Sequence, residues 1–115
     1  MKDIQKHVLN IVETLEKGCT YLECGMDAEE HGANKNDIIS GFDYLSDVLD
    51  IEYITDSKKQ YLGARVLVAF GGPNIWINTR TKNVEGYWWQ DSSIQSFHDD
   101  AMGLDDALEE LFNCQ

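Results

Sequence analysis

The sequence predicts an α+β domain: an antiparallel four-stranded meander over about residues 51–89, packed by two N-terminal helices and one short C-terminal helix. Three observations lead there. Apolar residues recur at helical spacing at both ends of the chain. The stretch between is rich in β-branched and aromatic residues in short runs. Those runs are joined by turn-like segments too short to hold a crossover helix. A length of 115 residues fits a single domain, residues 1–115, and a hydrophobic fraction of 43% supports a packed core.

Ile4, Val8, Ile11, Val12 and Leu15 mark a first helix over 3–17, which Gly18 can end. Residues 18–35 mix Tyr21, Leu22 and Met26 with a polar, turn-rich run; they read as a long loop with at most one helical turn, the segment most open to motion. A second helix is expected over 37–50, capped by Asn36 or Asp37. Its apolar stripe would be Ile38, Phe42, Leu45 and Leu49, widened by Ile39 and Val48, with Asp43, Asp47 and Asp50 on the other face. Strands are expected at 51–55, 64–70, 74–79 and 84–89. The run at 64–70 is apolar on both faces apart from Arg65, so it belongs in the sheet interior. Gly71-Gly72-Pro73 makes a tight reversal rather than a phosphate loop, because a strand and not a helix follows it. Leu104, Ala107, Leu108, Leu111 and Phe112 outline the last helix, 104–112.

Charge is unevenly distributed. The net charge is −12, with ten acids against one base over residues 23–57, five bases and no acid over 58–82, and eight acids and no base over 83–115. Such a field repels nucleic acid and anionic membrane and attracts basic surfaces. No apolar run approaches the length of about 18 residues that a membrane span needs, and the first helix pattern carries charge throughout, unlike a signal peptide. Cys19, Cys24 and Cys114 match no zinc or redox spacing, which fits three ordinary thiols in a reducing cytoplasm.

Strand alternation over 84–89 divides Val84, Gly86 and Trp88 from Glu85, Tyr87 and Trp89. Trp88 is expected in the core, with Tyr87 and Trp89 on the opposite face near Trp76. These three aromatics form a candidate binding patch, because Trp and Tyr are enriched at interface hot spots. With no base beside it, such a face is a poor platform for nucleic acid. Asp105 and Asp106 suit the first turn of the last helix. Asp99, Asp100, Glu109 and Glu110 have no such role and make an unrelieved acidic surface, to which Asp43, Asp47 and Asp91 add. The His98-Asp99-Asp100 and Glu29-Glu30-His31 runs lack metal-ligand spacing, and Cys24 with His31 lacks a third catalytic group, so neither a metal nor a cofactor is expected.

The segment VAFGGPNIWINTRTKNVEGYWWQD resembles small acidic proteins of unassigned function from bacterial phages and mobile elements, with the similarity covering roughly residues 61–91 and the final acidic helix. The resemblance implies an accessory protein acting on another macromolecule, such as an inhibitor of a host defence system or a nucleic-acid mimic. It carries over no activity and no site. The expectation is therefore a non-catalytic protein that docks a basic, nucleic-acid-binding protein surface, without touching nucleic acid or membrane itself. The alternative is a small-ligand-binding or enzymatic domain with its site between the 18–35 loop and the aromatic sheet face. A homodimer through an open sheet edge is a third possibility.

Overall fold

Helix α1 spans Asp3–Lys17, as its periodicity predicts, in a computed structural model that describes residues 3–115. Its buried residues are Ile4, Val8, Val12 and Leu15. There follow a one-turn helix α2 (Tyr21–Cys24), a 3-10 turn (Glu29–His31) and a short helix α3 (Gly41–Leu45). Five strands then run β1 (Asp50–Thr55), β2 (Tyr61–Ala69), β3 (Asn74–Asn78), β4 (Asn83–Trp88) and β5 (Asp91–Ser96), and α4 (Leu104–Asn113) closes the chain. The sheet is an antiparallel meander with strands in sequence order.

Register explains the layering. Ile51, Val66, Ile77, Val84 and Gln95 face one another across the five strands in a single row. Val66, Ile77 and Val84 in that row are fully buried. Helix α1 packs on this face over β4 and β5, α4 packs on it over β2, and α3 lies against α4. Gly86, in the next core row beside Ile75, lets α1 come close enough for Ile4 and Val8 to touch the sheet backbone. The neighbouring row, Asp50, Leu67, Trp76, Glu85 and Ile94, points the other way, towards solvent.

Several expectations are corrected. The sheet has five strands, not four; β2 is an interior strand between β1 and β3, as expected. The fifth strand, DSSIQS, is polar and carries little strand propensity of its own; pairing with β4 across a two-residue turn holds it extended. The helix expected over 37–50 is confined to Gly41–Leu45. Ser40, not Asn36 or Asp37, caps it by accepting a hydrogen bond from the Asp43 amide (3.1 Å), and Asp50 already belongs to β1. Of the expected stripe Leu45 and Ile39 are buried and Val48 partly so, while Ile38, Phe42 and Leu49 are exposed.

Residues 18–35 are not a plain loop. Thr20 and Glu23 cap α2 reciprocally, Thr20 bridges to Ile38, and Cys19 and Tyr21 join the core. The turn of α2 brings the Cα atoms of Cys19 and Cys24 to 6.4 Å, and their sulfurs are bonded. Only Cys114 is a free thiol, so the expectation of three free thiols fails, and with it the thiol-based ground for a reducing compartment. Among the described residues no helix is long and apolar enough to cross a membrane.

Candidate interaction surfaces

The open sheet face is organised around Arg65. Its guanidinium lies 3.1 Å from Glu52 on β1 and 3.5 Å from Glu85 on β4, and 4.3 Å from the centre of the Trp76 ring. A base therefore does stand beside the aromatic face, contrary to the expectation above. Strand register places it there: Arg65 pairs with Glu52 on one side and Asn78 on the other, two residues from Trp76. Trp76 is half-buried beneath this cluster, so it is a platform for Arg65 more than a free anchor. Guanidinium, two carboxylates and an indole satisfy one another here.

Tyr87 and Trp89 lie at the end of the sheet. Tyr87 pairs with Asn74 and Ser92 on the open face and is 41% exposed. Trp89 is not a strand residue. It sits in the turn joining Trp88 to Asp91, in the left-handed region at φ 57°, and is 93% exposed. Trp88 is half-buried against the core, with its ring 5.9 Å from that of His7 on α1. Trp88 is the less exposed of the two tryptophans, but it is half-buried and not fully in the core, and Trp89 is exposed as a turn residue and not through strand alternation. The Asn74–Tyr87 pairing brings the β2–β3 turn to the same end, where Phe70 is 73% exposed; Leu49, whose amide donates to the Leu67 carbonyl, is exposed there too. Leu49, expected in a helix stripe, and Phe70, expected in a strand, both lie outside those elements, exposed; Ile94 is not singled out by the sequence, because an isolated apolar residue on a polar strand carries no periodicity.

The acids divide into two groups. Some serve the fold. Asp100 accepts from the amides of Leu104 (2.7 Å) and Asp105 (2.9 Å), supplying the cap that Gly103, at φ 68°, cannot. Asp105 accepts from the Tyr61 hydroxyl at 2.6 Å; burial, and then this carboxylate, hold that hydroxyl well above its ordinary titration range. Asp43 accepts from the Tyr21 hydroxyl, raising it in turn, and its other oxygen is 3.0 Å from His31 Nδ1. The His31 and Tyr21 rings stack at 5.8 Å, so Asp43 ties the 18–35 segment to α3.

Other acids are exposed on the helix layer. Asp47, Asp99, Asp106, Glu109 and Glu110 have no side-chain hydrogen bond or ion pair among the described residues. Asp91 is exposed at the aromatic end. The acids of α4 therefore sit on the helix side, while Trp76 and Tyr87 look out from the opposite side of the sheet. The expected aromatic and acidic sites are two separate surfaces.

The 18–35 segment packs on the helix side as well. Between it, α3 and β2 lies a cavity of about 260 Å³ whose lining includes Met26, Ile39, Tyr44, Asp47, Val48 and Val68. Trp76, Tyr87 and Trp89 do not line it; this cavity lies on the helix side, and Trp76 and Tyr87 look out from the other side of the sheet. Burial in this wall pushes the Tyr44 hydroxyl up to about 12. Among the described residues no group of three or more His, Cys, Asp or Glu is placed to hold a metal ion. Compared with family models, curated proteins and solved structures, the chain gives no match.

Proposed function

We propose that this protein is a non-catalytic binding protein that docks the basic, nucleic-acid-binding surface of a partner protein and blocks it. The observation that carries the reading is the state of the acids on the helix layer: Asp99, Asp106, Glu109 and Glu110 are exposed on or beside α4, and no base among the described residues pairs with them. The pairs 105/109 and 106/110 set like charges four apart along a helix, which costs about 0.2–0.5 kcal/mol each. A partner's Lys and Arg side chains would relieve that repulsion, and the field would speed their encounter. The exposed end carrying Tyr87, Trp89 and Asp91 faces another direction and serves as a second, aromatic contact on a partner large enough to reach both. Such a partner surface normally holds phosphates, so its occupation by carboxylates excludes nucleic acid. An anti-defence role follows from the same chemistry where the partner is a nuclease.

The test has two parts. The protein is used to capture partners from its native host at low and high salt, and each captured protein is then assayed for nucleic-acid binding with and without this protein. The reading expects a basic partner, released at high salt, whose nucleic-acid binding is lost on complex formation. Replacing Asp99, Asp106, Glu109 and Glu110 by Asn or Gln should slow association and flatten its salt dependence. An unchanged association rate and salt slope would overturn it.

A further inference from the structure

The helix layer offers a cavity as well as a charged surface, and the two meet at Asp47. The two aspartates of this short segment, four residues apart, are used differently. Asp43 is fully engaged: one oxygen accepts from Tyr21 and the other faces His31. Asp47 lies one turn further on, exposed, with only its backbone amide bonded, to the Tyr44 carbonyl (3.3 Å). Asp47 is among the residues that line the cavity of about 260 Å³, whose lining also includes Met26, Ile39, Tyr44, Val48 and Val68. That volume is below the range of about 300–1,000 Å³ common for drug-sized ligands and suits one long side chain.

The walls specify the occupant. Apolar side chains can cover an unbranched alkyl stem, and Asp47 in the lining favours a positive head. A neutral apolar ligand would use the walls alone, leaving the exposed Asp47 to water, and an anion would be repelled by it and by the net charge of −12. A cation without a stem would leave the apolar walls wet. An alkyl cation is the class that uses both the apolar lining and Asp47.

We propose that this cavity is a receptor for a single alkyl-cation side chain, lysine or arginine, with its stem against Met26, Val48 and Val68 and its charged head on Asp47. The proposal rests on the reading of a basic partner and gives that partner an anchor. A lysine or arginine inserted here fixes the register of a docked basic surface, which diffuse attraction by the acids of α4 cannot do.

The cavity can be tested without a partner. The intact protein, labelled at its Met, Ile and Val methyl groups, is titrated with n-butylammonium, n-butylguanidinium and the neutral n-pentanol. The expected result is saturable shifts in the millimolar range at Met26, Ile39, Val48 and Val68 with one or both cations and weaker shifts with the alcohol. Whichever cation binds tighter identifies the side chain. Asp47→Asn should weaken the cation by about tenfold, the worth of one hydrogen bond to a charged group, and leave the alcohol unchanged. Equal binding of cation and alcohol, no saturable shift with either cation, or an unaltered cation affinity in Asp47→Asn would each overturn the proposal. Cation binding in the cavity together with failure to capture any basic partner would remove the docking reading and leave the receptor site standing. Capture of such a partner with no cation binding would do the reverse.

Discussion

Gly86 lies so close beneath Val8 that a Cβ placed on it would meet Cγ2 of Val8 at 2.5 Å and Cδ1 of Ile4 at 2.8 Å. The contact sets the height of α1 above β4, and therefore the whole separation of the helix layer from the sheet at that side. Gly86→Ala is expected to lower stability by about 1–3 kcal/mol, the cost of overpacking a core that has no room to give. Val8→Ala opens that room. In the double variant the two losses should sum to less than their separate values by about 0.5 kcal/mol or more. Urea unfolding of the four chains measures it. Additive losses would mean that α1 simply slides away.

Trp89 and Trp88 are neighbours with opposite duties. Trp88 fills space against α1, and Trp88→Ala should cost about 2–3 kcal/mol, somewhat less than for a fully buried tryptophan. Trp89 holds a left-handed conformation at φ 57°, which costs a bulky L-residue on the order of 1–2 kcal/mol. Glycine bears no such cost, so Trp89→Gly should stabilise the hairpin by about 1 kcal/mol. If Trp89 anchors a contact, the same change should weaken partner binding by about 2 kcal/mol. Paired unfolding and affinity measurements separate these. A Trp89→Gly chain that is less stable would show that the indole is held by contacts on the fold itself.

Tyr44 and Tyr61 make stability fall in alkali. Both hydroxyls titrate above the ordinary 10.0, Tyr44 at about 12, because burial disfavours their charged forms; for Tyr61 the Asp105 carboxylate adds to the effect. Below pH 10 both states keep the protons and the contribution is complete. Above it the unfolded chain loses them first, so stability declines steadily as pH rises through about 12. Urea midpoints measured across this range, with tyrosinate absorbance followed in parallel, should show the decline and three hydroxyls titrating above the ordinary value, those of Tyr44 and Tyr61 and that of Tyr21, which Asp43 also raises. Tyr61→Phe should be less stable at neutral pH and should show a shallower decline. A slope identical to that of the unsubstituted chain would remove Tyr61 from the account.

What the sequence made legible follows from what each residue's neighbours in the chain decide. Helix α1 and the strands at 50–55, 74–78 and 83–88 are set by local periodicity, so they were readable to within a residue or two. The short α3 was not, because its extent is decided from outside: a Cβ on Gly41 would lie 2.7 Å from the Gly103 carbonyl oxygen, and β1 requires an extended chain from Asp50. Strand β5 was invisible because its polar residues are recruited by β4. The charge blocks showed that acids would dominate the surface. They could not show that Asp43, Asp100 and Asp105 are consumed by Tyr21, the α4 amides and Tyr61, since those partners are distant in sequence or are backbone groups.

Asp99 and Asp100 are adjacent and chemically identical, yet they should behave as different kinds of residue. Asp100 satisfies two of the four orphan amides at the start of α4, where Gly103 has no side chain to do so. Its negative charge also stands at the positive end of the helix dipole. Asp100→Ala should therefore cost about 1–2 kcal/mol, within the range measured for lost caps, with faster hydrogen exchange at the amides of Leu104 and Asp105. Asp100→Asn keeps an acceptor and should recover much of the loss. Asp99 has no such bond among the described residues, so Asp99→Ala should change stability by no more than about 0.5 kcal/mol. Its effect, if the docking reading holds, lies in the salt dependence of association with a basic partner. Equal losses from Asp99→Ala and Asp100→Ala would mean that the fold uses charge density at this corner rather than a directed cap, and Asp100 would then return to the exposed acidic surface.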